Sequence, residues 1–139
     1  LFFDGNFLIA LSKFFICDLI NFPDMNEICL FCKIIADKIP SARVFEDALC
    51  VAFDDISPQA PTHILIVPRE HFDSLDKAEK KHQATLGHLL LIAAEIARKK
   101  GFAEDGYRVV VNTNADGGQT VFHLHVHLLG GRPFIFPPG

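Results

Sequence analysis

Apolar and polar residues alternate along this chain in two rhythms, and the change of rhythm marks its elements. Across residues 77–100 the apolar positions Leu86, Leu89, Leu90, Ala93, Ile96 and Ala97 recur at steps of three and four, which predicts a long helix. Lys99, Lys100 and Gly101 supply its C-terminal signal. A shorter helix is predicted over residues 29–36, where Leu30, Phe31, Ile34 and Ile35 share a face and Pro40 stops continuation. Short apolar runs predict strands over 44–46 and 49–54 around a turn at Glu46-Asp47, and over 62–67 before Pro68. Two more, 107–112 and 121–129, are joined across Asp116-Gly117-Gly118. Five strands with one long helix, and no strand–helix alternation, predict an α+β fold with a five-stranded antiparallel sheet.

The last strand is the most informative stretch. His123, His125 and His127 stand at strict two-residue spacing, interleaved with Leu124 and Val126. A strand sends alternate side chains to one face, so the three imidazoles line up roughly 6.6 to 6.8 Å apart at Cα while the apolar pair enters a core. The interleaving excludes an affinity tag. Imidazole is nucleophile, acid or metal ligand near neutral pH. Three on one strand face therefore make either an active site or a metal site.

Composition narrows the setting. The 139 residues suffice for one domain, and an apolar half excludes general disorder. With a net charge of -4 and no basic run, nothing marks a duplex nucleic-acid partner, so a phosphate-bearing ligand has to be held locally. Cys17, Cys29, Cys32 and Cys50 are too few and too uneven for a disulfide framework, which favours reduced thiols and a cytoplasmic setting, with the nucleus as a second compartment. Residues 1–26 differ in character: six phenylalanines crowd them, yet Lys13 and Asp18 interrupt any membrane-length apolar run, and no targeting pattern is clear. Met25 is read as the start of the domain proper, which places an extension at 1–26 and the domain at 27–139; a native amphipathic helix is the rival account of the extension.

His-x-His-x-His followed by two apolar residues resembles the histidine-triad superfamily of nucleotide hydrolases and transferases. More of the chain resembles its Hint-type branch of nucleoside phosphoramidases. The matching stretches are Phe31-Cys32-Lys33-Ile34-Ile35, Ile39-Pro40, the run from Phe53 to His63, Val110-Val111-Asn112, Asp116 to Gln119, the triad itself and Pro137-Pro138-Gly139. The resemblance implies the same fold and a homodimer in which two sheets join.

It also implies roles. His125 would be the nucleophile, forming a nucleotidyl-imidazole that water then hydrolyses, with His127 on the phosphate and assisting the proton traffic, and His63 as a relay or electrostatic partner. Thr120 replaces a serine that bonds the leaving amine and keeps its hydroxyl. Asn112, Gly118 and Gln119 would approach the phosphate, and the Asp55 carboxylate would accept both ribose hydroxyls. Leu30, Phe31, Ile34, Ile39, Phe53 and Ile56 would form an apolar slot for a purine, although ordinary core packing also explains them. Cys29 and Cys32 with His71 and His123 match the ligands of a closed Cys2His2 zinc site, a structural role that would leave the chemistry to His125 and His127. Phe136 stands where the branch usually has tryptophan, and lacks the indole N–H.

The function so implied is hydrolysis of purine nucleoside 5′-phosphoramidates through a covalent nucleotidyl-histidine, with no magnesium requirement and no nucleic-acid or membrane partner. Two alternatives remain. One is a dinucleoside polyphosphate hydrolase, disfavoured by Gly130-Gly131-Arg132 after the triad. The other is a non-catalytic, zinc- and nucleotide-binding regulatory dimer.

Overall fold

The computed structural model describes residues 24–139, and most of the predicted extension lies outside the described residues. Helix α1 (Met25–Ile28) and helix α2 (Leu30–Ile35) lead into strands β1 (Arg43–Glu46), β2 (Cys50–Asp54) and β3 (Thr62–Pro68). Helix α3 (Gln83–Lys100) follows, then strands β4 (Arg108–Val110) and β5 (Val126–Gly130). All neighbours in the sheet are antiparallel, in the order β1-β2-β3-β5-β4. The boundary drawn at Asn26 falls inside α1.

Period-two alternation divides the sheet into two working faces. Cys50 and Ala52 of β2, Ile64 and Ile66 of β3, and Val126 and Leu128 of β5 pack with Leu124 against Leu89, Ala93, Ile96 and Ala97 of α3. On the opposite face Val51, Phe53, Leu65 and Val67 pack against Phe31 and Ile34 of α2. The first face is core alone. The second carries the histidines.

Three expectations are corrected. Helix α3 begins at Gln83 instead of residue 77, preceded by short 3-10 turns at Leu75–Lys77 and Lys80–His82. Here Glu79 and His82 cap one another: the Glu79 N–H donates to His82 Nδ1 at 2.8 Å and the His82 N–H to the Glu79 carbonyl at 2.9 Å. Leu90 is 51% exposed and Ile92 takes its place in the buried stripe, because positions 89, 92, 93, 96 and 97 are those that a period of 3.6 keeps on one side. The C-terminal signal holds, with Gly101 at φ +83°.

The third correction concerns the triad strand, which is regular only from Val126. Register pairs Val126 with Ile66, so the next step would pair Leu124 with Pro68. Proline has no N–H for a ladder. The chain leaves the sheet there, and the Leu124 N–H donates to the Phe72 carbonyl at 2.8 Å instead. Leu124 still faces the α3 core.

Helix α3 is tied to the β1–β2 turn by His88 Nε2 and Asp47 Oδ2, 2.6 Å apart. Asp47 Oδ1 also accepts the N–H groups of Leu49 and Cys50, each at 2.8 Å. Burial works against the charged carboxylate, but those N–H groups and His88 outweigh it and bring Asp47 down to about 2. A depressed carboxylate contributes stability that is complete above its ordinary range near 4 and is lost as pH falls through about 2. Asp47→Asn should therefore melt below wild type at neutral pH, with the gap narrowing between pH 4 and 2. Thermal unfolding followed across pH 6 to 2 checks this, and a gap independent of pH would reject it.

Candidate active site and metal centre

On the α2 face of the sheet lies a cavity of about 580 Å³. Its apolar wall includes Leu30, Phe31, Ile34, Ile39, Phe53 and Ile56, the last 99% exposed at the rim. Asp55, Thr120, His125 and His127 supply the polar end. Ser41, Ala42, Leu65 and Val121 also line it and were not anticipated; only Leu65 carried a signal, two residues after His63 on the same strand face. Asn112, Gly118 and Gln119 are not lining residues. The Gln119 amide is buried and occupied, donating to the carbonyls of Asp73 at 2.6 Å and Val121 at 3.0 Å while its oxygen accepts the Asn114 N–H at 3.0 Å. It folds the turn before Thr120, where a Cβ on Gly117 would collide with the Thr113 backbone and Gly118 sits at φ +77°.

Main-chain partners settle which nitrogen of each histidine carries the proton. His125 Nδ1 lies 2.7 Å from the His123 carbonyl, which can only accept. The proton is on Nδ1, and the Nε2 lone pair is free. Phe31 meets this ring edge-on, with centroids 5.1 Å apart. Burial lowers the His125 pKa, opposed by the bond to His123 and the charge of Asp55, so a neutral imidazole is favoured.

His127 takes the complementary form. The Gln59 N–H donates to His63 Nδ1 at 3.1 Å, so the His63 proton is on Nε2, which donates to His127 Nδ1 at 2.9 Å. His127 Nε2 then carries a hydrogen; it is buried and has no protein partner among the described residues. Burial, with His125 and His63 adding to it and Asp55 opposing, brings His127 down to about 4. At neutral pH it is an uncharged donor. Leu65 stands opposite His127 in the β3–β5 register, which places His63 one diagonal step away.

Beyond His125 the chain enters a second cluster. The ligand atoms of Cys29, Cys32, His71 and His123 all lie within 4.8 Å of one another. His123 Nε2 donates to the Pro68 carbonyl at 2.8 Å and His71 Nε2 to Asp73 Oδ1 at 3.1 Å. Both Nδ1 lone pairs therefore face inward, 3.1 Å apart, and His123 Nδ1 is 3.5 and 3.4 Å from the two sulfurs. Two lone pairs facing one another are repulsive unless a cation lies between them. Burial first, and Cys29 beside it, push the Cys32 thiol up to about 12, so a thiolate there also needs a neighbouring cation. This donor set fits zinc.

A third group of possible ligands, Asp55, His63 and His127, is different in kind. Gln59 occupies His63 Nδ1, so His63 Nε2 bears a hydrogen and offers no lone pair. In that group His63 and His127 share a hydrogen bond, and the Asp55 carboxylate lies beside it.

Comparison with known proteins gives the chain a family. A 14 kDa zinc-binding protein of Zea mays is 53% identical over 112 residues, 79% of this chain and 87% of that protein. Over 109 residues, 78% of this chain and 92% of the relative, a purine nucleoside phosphoramidase of Escherichia coli K12 is 52% identical. The crystal structure of a HIT family hydrolase from Legionella pneumophila superposes with a TM-score of 0.78 at 48% identity, covering 80% of this chain and 99% of that one. The HIT domain pattern itself matches residues 36–134, from the end of α2 through β5, and the chain accordingly belongs to the HIT domain family.

Proposed function

We propose that this protein hydrolyses purine nucleoside 5′-phosphoramidates, adenosine or guanosine monophosphate joined to an amine, through a nucleotide held covalently on His125. The observation that carries the reading is the pair of opposite tautomers at one end of the cavity: a free lone pair on His125 Nε2 beside an N–H on His127 Nε2. A phosphorus centre needs a nucleophile and charge stabilisation on its oxygens. The 52% identical phosphoramidase of E. coli supports the substrate class.

In the first step the His125 Nε2 lone pair forms the bond to phosphorus as the bond to the amine nitrogen breaks. His127 Nε2–H donates to a phosphoryl oxygen; as a neutral imidazole it would become an imidazolate if it gave that proton up, so its role is to stabilise charge. The proton for the departing nitrogen comes from water by way of the Thr120 hydroxyl at the exposed rim, and the hydroxide left in solvent is neutralised by the proton released in the second step. His125 keeps its Nδ1 hydrogen on the His123 carbonyl throughout, so the nucleotidyl-imidazole is cationic and leaves as neutral imidazole. Water completes the second step, forming the P–O bond and releasing the monophosphate and a proton. Asp55 faces the sugar hydroxyls, and the apolar wall takes the base on both faces with few polar contacts, which admits both purines.

Cys29, Cys32, His71 and His123 would hold zinc, supported by the inward-facing lone pairs and by the maize relative's name. When bound, zinc supplies a structural anchor for the chain just before His125. The protein is further read as a homodimer joined through the outer edge of β4, supported by that strand's place at the sheet's end and by Leu90 and Leu91, 51% and 69% exposed on α3. A cytoplasmic setting rests on the reduced thiols. Among the described residues no helix is long and apolar enough to cross a membrane.

Three measurements test this reading. His125→Ala should lower turnover of an adenosine phosphoramidate on the order of 10⁴-fold while nucleotide affinity persists. Activity within tenfold of wild type would end the covalent mechanism, and absence of turnover by the wild type itself would favour a non-catalytic regulator. Elemental analysis of untagged protein grown with zinc should find about one zinc per chain, and chelation should lower the melting temperature. Light scattering should return twice the 15.5 kDa chain mass; a monomer at micromolar concentration contradicts the joined sheets.

A further inference from the structure

His63 has a single proton to give. Its Nδ1 accepts the Gln59 N–H, so only Nε2 carries hydrogen; that hydrogen bonds His127 Nδ1 at 2.9 Å, and the Asp55 carboxylate lies beside it, with Oδ2 3.4 Å from Nε2. Asp55 is fixed in place from the other side, where Oδ1 accepts the Ser57 N–H at 2.8 Å. Its own N–H donates to the His63 carbonyl at 2.9 Å. The Asp55 and His63 side chains are 17% and 5% exposed, and Asp55 alone of the two lines the cavity. The carboxylate thus stands between the cavity and the hydrogen-bond chain that ends on His127.

We propose that Asp55 is a positioning residue for His127 as well as a sugar contact, so that occupancy of the sugar hydroxyls is transmitted through His63 to the donor on the phosphate. This rests on the nucleotide-hydrolase reading above. With no hydroxyl donors present, the Asp55 carboxylate draws on the His63 hydrogen and weakens its bond to His127. Two hydroxyls donating to Asp55 occupy its lone pairs and offset its charge, and the His63 hydrogen goes wholly to His127 Nδ1. An imidazole that accepts a stronger bond at Nδ1 becomes a stronger donor at Nε2, because successive hydrogen bonds polarise one another. A sugar contact alone would act equally on ground and transition states and change only KM. This linkage changes kcat.

The test compares an adenosine phosphoramidate with its 2′-deoxy counterpart, using wild type and Asp55→Asn. Wild type should lose roughly tenfold in kcat on the deoxy substrate, beyond any rise in KM. In Asp55→Asn, which lacks the charge that draws on the His63 hydrogen, kcat on the deoxy substrate should rise toward the wild-type ribo value, and the ribo-to-deoxy ratio in kcat should approach one. Side-chain 15N spectra of wild type with adenosine monophosphate and with its 2′-deoxy form give a readout that needs no turnover: the His63 and His127 ring nitrogens should move with the first and much less with the second. Equal kcat for the two sugars, with all loss in KM, overturns the linkage. So does an equal 15N response to both nucleotides, even where no phosphoramidate is turned over and the activity reading itself fails.

Discussion

A main-chain N–H can only donate a hydrogen bond and a main-chain carbonyl can only accept one, and the chemistry of this protein hangs on three such groups. The Gln59 N–H, the His123 carbonyl and the Pro68 carbonyl assign the protons of His63, His125 and His123. From His63 the assignment passes to His127. A histidine in the wrong tautomer would leave a buried polar group without a partner, at a cost of about 1–3 kcal/mol. That cost is a population bias of about fivefold to more than about a hundredfold. Each ring therefore arrives with its lone pair already aimed, outward to the cavity for His125 and inward to the thiols for His123.

The same backbone explains why three histidines from one alternating run do two different jobs. His127 lies in the β5 ladder opposite Leu65, whereas His123 and His125 lie past the point where β3 ends in Pro68. Their segment is held by Phe72, by the Pro68 carbonyl and by the Cys2His2 cluster. The cluster and the cavity consequently share one piece of chain, with His123 supplying a side chain to the first and a carbonyl to the second.

Much of this was legible from residue order because it follows from period. The two-residue rhythm predicted five antiparallel strands and the separation of the histidines from Leu124 and Val126, while the grouping of Leu30, Phe31, Ile34 and Phe53 around one cavity was implied by the family resemblance. Long-range geometry was not legible. Nothing in the local pattern says that Glu79 and His82 cap one another and delay α3, or that His88 reaches across 41 positions to Asp47. Leu90 misled because an apolar residue next to the stripe has the same local signature as one inside it. Gln119 was expected to offer its backbone N–H to the phosphate; that N–H donates to the Asn114 carbonyl at 3.0 Å, and the side-chain amide fastens the turn to Asp73. A motif locates a segment without saying which side chains are free to work.

The division of the sheet into two faces has a consequence for how this chain tolerates change over evolutionary time. The larger apolar cluster sits under α3, on the side away from the cavity. Substitutions along Leu30, Ile39 or Ile56 can reshape the wall facing a ligand without opening a void beneath the helix. Drift in substrate choice and persistence of the scaffold are thereby decoupled. One architecture can carry many specificities while the histidine wiring stays as it is.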